Sequence, residues 1–251
     1  MPLDTSTYAL ALLRLDGRRW NELRRIRAQT STQAAADGSS YLEMGNTQVI
    51  CTVIGPAEGR NTGAGRSGGR EGEANLEVEI GFAGFSGVDR KRRGKGDKRT
   101  AEMAHTLSTA FSSLILMHLY PHSTISIHIN ILSQDGSILA ACINAATLAL
   151  VDAGVPMTDY LVACTAASSP TTSASAGGDE VSDPLLDLNA MEEQELPFLT
   201  LATVGGGEKI TVLVMETRVR VERIEGMLAV GIEGCKRVKN ILDGVVRGVG
   251  R

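Results

Sequence analysis

Hydrophobic and polar residues alternate in several short windows of this chain and recur at three- and four-residue spacings in others. Leu76, Val78, Ile80 and Phe82 are separated by Glu77, Glu79 and Gly81, a period of two that predicts a strand with one wet face. Ile125, Ile127, Ile129 and Ile131 alternate with Ser126, His128 and Asn130 in the same way. Two further runs, Ser40 to Met44 and Thr47 to Ile54, flank Gly45-Asn46, a hairpin signal. A second hairpin is expected from Pro197 to Val204 and Lys209 to Glu216 around Gly205-Gly206-Gly207, and Leu161 to Ala166 reads as another strand.

Helical spacing appears from about Asp97 to His118, where Met103, Leu107, Phe111 and Leu114 form one stripe and Pro121 follows as a stop. Ile138 to Asp152 is Ala-rich and apolar almost all round, which predicts a buried helix ended by Gly154. A long helix is expected from about Val221 to Val246. Strands followed by helices, twice, predict an α+β fold: a duplicated β-α unit with helices packed on one side of mixed sheets. The halves would be 12–155 and 156–246, with no sequence period to mark the repeat. Residues 57–73 and 167–183 hold little that could be buried and are expected to be flexible loops. The segment from Arg14 to Arg27 fits neither period and reads as an ordered arm packed on the domain.

Composition changes this picture in three places. Aromatic residues make up only 4% of the 251-residue chain against 43% hydrophobic residues in all, so the core must be built from Ala, Val, Ile and Leu. The net charge of −4 does not suggest a nucleic-acid binder. Yet Arg90, Lys91, Arg92, Arg93, Lys95, Lys98 and Arg99 crowd one window, opposed by Asp97, and such a cluster can grip a phosphate backbone. Cys51, Cys142, Cys164 and Cys235 are widely spaced with no CxxC pair, which predicts reduced, buried thiols in a reducing compartment.

Other candidates carry less. The chain opens without a secretory pattern, and its longest apolar run, Ile138 to Val151, is broken by Asn144 and too short to span a bilayer. A soluble protein with no membrane partner is therefore expected. His105, His118, His122 and His128 are isolated and read as surface or packing residues, with no metal site. Ser112-Ser113 and Ser168-Ser169 lack a nucleophile-elbow context, and no GK[ST] follows the glycine triplet at 205–207.

Four segments occur in a set order: Leu15-Asp16-Gly17-Arg18, Asp37-Gly38-Ser39-Ser40, Leu148-Ala149-Leu150-Val151-Asp152-Ala153-Gly154 and Leu186-Asp187-Leu188-Asn189. Together they resemble the RNase PH family from about residue 12 to 245. The run at 16–24 and Gln134-Asp135-Gly136 look most like the eukaryotic RNA exosome ring subunit whose archaeal counterpart carries the phosphorolytic site. That resemblance implies an RNase PH-type fold and a place in a six-membered ring with other RNase PH-like subunits. It also implies S1/KH cap proteins, a hydrolytic exoribonuclease beneath the ring, and single-stranded RNA as ligand in nucleus, nucleolus and cytoplasm.

Within the resemblance, Lys98 and Arg99 stand where active relatives carry an RNA- and phosphate-contacting basic pair. Arg90, Lys91, Arg92, Arg93 and Lys95 extend that RNA-binding reading, and Arg60, Arg66 and Arg70 add a weaker one. Active relatives also carry a Thr-Arg phosphate anchor, whose aligned positions here are Ile138 and Leu139. Of the two metal-holding aspartates, the first aligns with Glu193, and six residues on lies Leu199; Glu195 fits the second only with a deletion. Asp135 and Asp187 match family positions but read as turn or structural aspartates. The expectation is a non-catalytic subunit without cofactor or metal, guiding RNA to an associated nuclease. The alternative is a residual phosphorolytic 3′–5′ exoribonuclease using Glu193 or Glu195 for metal.

Overall fold

The computed structural model describes residues 13–14, 16–58, 74–87, 90, 97–169 and 184–249. Its first sheet has five strands: β1 (Ile26–Thr30), β2 (Gly38–Met44), β3 (Thr47–Glu58), β4 (Asn75–Phe82) and β5 (Ser123–Ser133), in the order β1-β2-β3-β5-β4. The second has four: β6 (Leu161–Ser168), β7 (Pro184–Leu186), β8 (Phe198–Val204) and β9 (Ile210–Met215), ordered β7-β6-β8-β9. The mix of strand directions falls in the first sheet, where β4 runs parallel to β5; the described pairs of the second are antiparallel. Among the described residues four α-helices accompany them: α1 (Lys98–Ser112), α2 (Ile138–Asp152), α3 (Ala190–Glu195) and α4 (Val221–Val249).

The all-round apolar helix sits where its sequence demands. Residues Ala140 to Leu150 of α2 are buried, because the helix packs on β2 and β3 of one sheet and on β6 of the other. Its polar exceptions are matched. Asn144 donates to Ala163 O and accepts from Ala163 N, both at 2.9 Å. Thr147 donates to Leu161 O at 2.6 Å. A buried side-chain amide without such partners would cost about 1–3 kcal/mol; here it ties α2 to β6. The approach to β2 is close: a Cβ at Gly38 would meet Ala149 O and Ala153 N at 2.4 Å. Gly154 ends α2 with φ +68°, donating to Val151 O at 3.1 Å while Val155 N reaches Leu150 O at 3.1 Å.

Helices do not keep to one side of the sheets as the sequence pattern suggested. Every residue of β6 is buried, and the strand contacts both α2 and α4. A strand buried on both faces carries an unbroken apolar or small-residue run, as Leu161–Ser168 does. The α1 stripe also stops earlier than expected, at Ser112 rather than His118. Leu116 N bonds to Pro156 O at 3.1 Å and Thr158 N to Leu114 O at 3.0 Å, with an Ile115–Met157 bridge. Pairing with a distant segment wins over continuing the helix, and a 3-10 turn follows at Met117–Leu119.

Both expected loops are trimmed at their edges. Ala57 and Glu58 extend β3 by pairing with Thr124 and Ser123. Ala167 and Ser168 extend β6 by pairing with Leu185 and Pro184. Apart from Ser169, which is buried, the remainder of those loops lies outside the described residues. The arm does pack on the domain, and its last part becomes β1, antiparallel to β2. All four cysteines are free and buried; burial pushes the thiols of Cys142 and Cys235 up to about 12. Among the described residues, no helix is long and apolar enough to cross a membrane.

Candidate RNA-binding cleft and its anchoring junction

The site grows from the loop that enters α2. Gly136 has φ +76°, and a Cβ there would fall 2.6 Å from Asn189 C and Leu188 O, so the loop Asp135-Gly136-Ser137 can lie against residues 187–190 only with glycine in the middle. Ser137, with φ +53°, begins the helix as its N-cap residue. Its hydroxyl turns away from the helix, 3.1 Å from Leu188 O and 3.2 Å from Asp187 Oδ1. Asp135 Oδ1 accepts from Ala190 N at 3.2 Å, while Asp135 Oδ2 accepts from Asn46 Nδ2 at 2.9 Å. Asp135 thus performs the structural role expected of it, between the first hairpin and the start of α3.

Behind this loop, the arm brings two buried arginines. Arg24 donates through its backbone N to Asp187 Oδ2 at 2.8 Å and through Nε and Nη2 to Oδ1 at 3.0 and 2.8 Å. Its Nη1 also donates to Asp135 O. Burial opposes the Arg24 charge, but the Asp187 carboxylate outweighs it and raises the guanidinium above its usual value. Asp187 is fully buried in the left-handed region at φ +51°, a conformation aspartate tolerates better than most residues. Arg14 donates Nε to Glu192 Oε1 at 2.8 Å and Nη2 to Asp187 O at 2.9 Å, and it pairs with Glu192 Oε2. Asn189 and Glu192 close a capping box around the first turn of α3.

Glu193 lies one residue beyond Glu192, on the other side of α3. It lines a cleft of about 90 Å³ together with Phe82, Arg99, Met103, Ile138, Leu139 and Phe198. Its Oε1 accepts from Ser137 N at 2.6 Å. Burial pushes its carboxyl up, offset in part by the Ser137 amide, Arg24 and Arg99, with Asp187 adding to the rise. Glu102 and Glu216 also line the cleft. Arg99, Ile138, Leu139 and Glu193, distant in sequence, therefore meet here. Ile138 and Leu139 present only apolar side chains to it, and these neither donate to an oxyanion nor balance its charge.

The remaining candidates fall elsewhere. Glu195 is exposed and is not among the residues lining the cleft. Leu199 is fully buried in β8. A divalent cation needs converging oxygen ligands. With the first carboxylate bonded to a backbone amide, the second position taken by a buried leucine and Glu195 outside, these residues do not fit one. Among the described residues, no group of three or more His, Cys, Asp or Glu could hold a metal.

Lys98 and Arg99 are exposed at the start of α1, and Arg90 is exposed before it. Lys91, Arg92, Arg93, Lys95, Arg60, Arg66 and Arg70 lie outside the described residues. His105, His118 and His122 are exposed, and His128 Nδ1 faces Glu79 across neighbouring strands at 3.3 Å. Sequence reasoning gave Arg14 and Arg24 no site role, and it missed the α3 turn. An Asn-x-x-Glu capping pattern at 189–192 was available as a signal for that turn.

Comparison with known proteins identifies the family. Models of the 3′ exoribonuclease (RNase PH) family match this chain over residues 22–156 for domain 1 and 170–234 for domain 2. The exosome complex component SKI6 of Saccharomyces cerevisiae is 39% identical over 242 residues, covering 96% of this chain and 92% of that protein. The human exosome complex component RRP41 is 38% identical over 235 residues, covering 93% and 90%. The crystal structure of rice Rrp46 superposes with a TM-score of 0.75 at 26% identity, over 93% of this chain and 100% of that one. A chain of the Archaeoglobus fulgidus exosome with RNA bound to the active site shares the fold, with a TM-score of 0.75 at 18% identity over 94% and 95%. This chain belongs to the RNase PH family of 3′ exoribonucleases.

Proposed function

We propose that this chain is a ring subunit of an RNA exosome that contacts single-stranded RNA, helps thread it through the central channel and performs no phosphorolysis of its own. The observation that carries the reading is the composition of the cleft. Ile138 and Leu139 form its wall at the entry to α2, and Arg99 is the cation among its lining residues. Phosphorolysis needs several donors or a metal aimed at developing phosphate charge. Glu193, already bonded to Ser137 N at 2.6 Å, supplies neither.

Retained RNA contact is supported by Lys98 and Arg99, exposed in the first turn of α1, where free amides and the helix dipole add to their charge. Such contacts hold phosphates without reading sequence. Similarity to SKI6 and RRP41 supports the exosome assignment. On this reading, RNase PH-like neighbours complete the ring, S1/KH proteins cap it and a hydrolytic exoribonuclease sits beneath, in nucleus and cytoplasm.

The test uses the reconstituted ring, RNA, phosphate and magnesium, with every hydrolytic subunit omitted. The RNA is expected to remain intact, and released nucleoside diphosphates would overturn the non-catalytic reading. Threading is tested with Lys98→Ala and Arg99→Ala in the same ring. Protected RNA should fall, and the salt dependence of binding should lose about 0.7 of slope per phosphate contact removed. Unchanged protection and slope would remove RNA contact from these two residues.

A further inference from the structure

Helix α2 begins without any anion of its own. Its first turn holds no acidic residue, and Ser137 makes no side-chain cap bond to it, because the hydroxyl is turned back toward Leu188 O and Asp187. A 15-residue helix still ends in unpaired N–H groups and a partial positive charge. The anion that meets this end comes from the other half of the chain. Glu193, on α3, places Oε1 2.6 Å from Ser137 N, and Ser137 is only 1% exposed. A carboxylate on a buried backbone amide at that distance is a short, charge-assisted hydrogen bond.

We infer that Glu193 is a built-in oxyanion: it occupies the amino end of α2 and excludes free phosphate-class anions from the cleft. One N–H cannot serve two acceptors in the same direction, so an external oxyanion that uses the Ser137 N–H must displace the carboxylate. The lining opposes that exchange. The side chains of Ile138 and Leu139 offer no donor, and Glu102 and Glu216 add negative charge opposite Arg99. Asp187, close behind, holds Arg24 at 2.8 Å, so that guanidinium is not free to receive an anion. The length of the side chain matters, because α3 is fixed by its capping box and by the Arg14–Glu192 pair. Loss of the usual donors and gain of an internal anion thus act on the same point.

This inference deepens the non-catalytic reading and rests on it, but the two can fail separately. Nucleoside diphosphate release by the unmodified ring would remove the former. The present inference is tested on the full chain by equilibrium dialysis with labelled inorganic phosphate. The unmodified protein is expected to show no saturable uptake. Glu193→Ala is expected to bind one phosphate per chain, at least about tenfold more tightly than the unmodified protein. Glu193→Gln keeps the length and an oxygen acceptor without the charge, so it should still block the seat and resemble the unmodified protein. Gln binding phosphate as well as Ala would show exclusion by charge rather than by occupancy and would overturn the inference, as would a folded Ala variant that takes up none. A readout that needs no variant is the Ser137 amide resonance of the unmodified chain. It should stay protected from exchange and unmoved by phosphate, and a saturable shift would sink the proposal.

Discussion

Adjacent residues of α3, Glu192 and Glu193, enter two regions made from the same ingredients and arranged to opposite ends. Glu192 is 2% exposed and faces Arg14, with every charge in that junction matched by an opposite one. Beside it, Arg24 and Asp187 form a second buried pair. Across the turn, Glu193 meets a backbone amide instead of a cation, and its neighbours Ile138 and Leu139 are apolar. The junction uses charge to lock the arm, the α2 entry loop and α3 together. The cleft uses one carboxylate to close a surface. Identical residue types therefore differ in role according to whether a counter-charge arrives with them.

The largest expected break in that contrast is Asp187→Asn. It would leave the Arg24 guanidinium buried without its partner, a loss of about 3–5 kcal/mol in urea unfolding. A loss below about 1 kcal/mol, the ordinary range of an exposed pair, would show that the pair is not the lock described. Gly136→Ala should follow. Its Cβ would strike the Leu188–Ala190 backbone at a residue with φ +76°, costing about 1–3 kcal/mol, read as a lowered melting temperature. A neutral outcome would mean that the loop can shift away from α3.

Smaller, and opposite in sign, is Glu193→Gln. Burial raises the Glu193 carboxyl above its ordinary value in the folded protein. Between that value and its raised folded one, the folded state holds more protons than the unfolded chain. Stability therefore falls as pH rises through this window, and above it the cost of the charged form is carried in full. Gln removes that decline, so the variant should gain stability relative to the unmodified protein as pH rises through this window, then hold a constant advantage. Urea midpoints across pH would reveal it. A variant that weakens as pH rises would contradict the burial argument.

Much of the architecture was legible because burial imposes a period. The alternation in Leu76–Phe82 and Ile125–Ile131 became β4 and β5, and the Ala-rich run became the buried α2. What escaped depended on partners remote in sequence. β1 has only five residues, none of them fully buried, too short a run to stand out, and it becomes a strand by pairing with β2. The last residues of the expected α1 were drawn off by Pro156 and Thr158. In the site, apolar Ile138 and Leu139 could be read from order alone. That Glu193 would reach Ser137 could not, because the contact depends on where α3 rests against α2.

The four interior sulfurs offer a handle on how the halves come apart. Cys51 sits on β3 and Cys142 on α2, while Cys164 and Cys235 belong to β6 and α4. A thiol sealed from water and held protonated cannot attack an alkylating reagent, so modification waits for an opening event. Because two of these groups sit in the first sheet and its helix and two in the second, timed alkylation read by mass spectrometry would act as a stopwatch for each half. Separate rates would identify independently breathing units, and one shared rate would identify a molecule that opens as a whole.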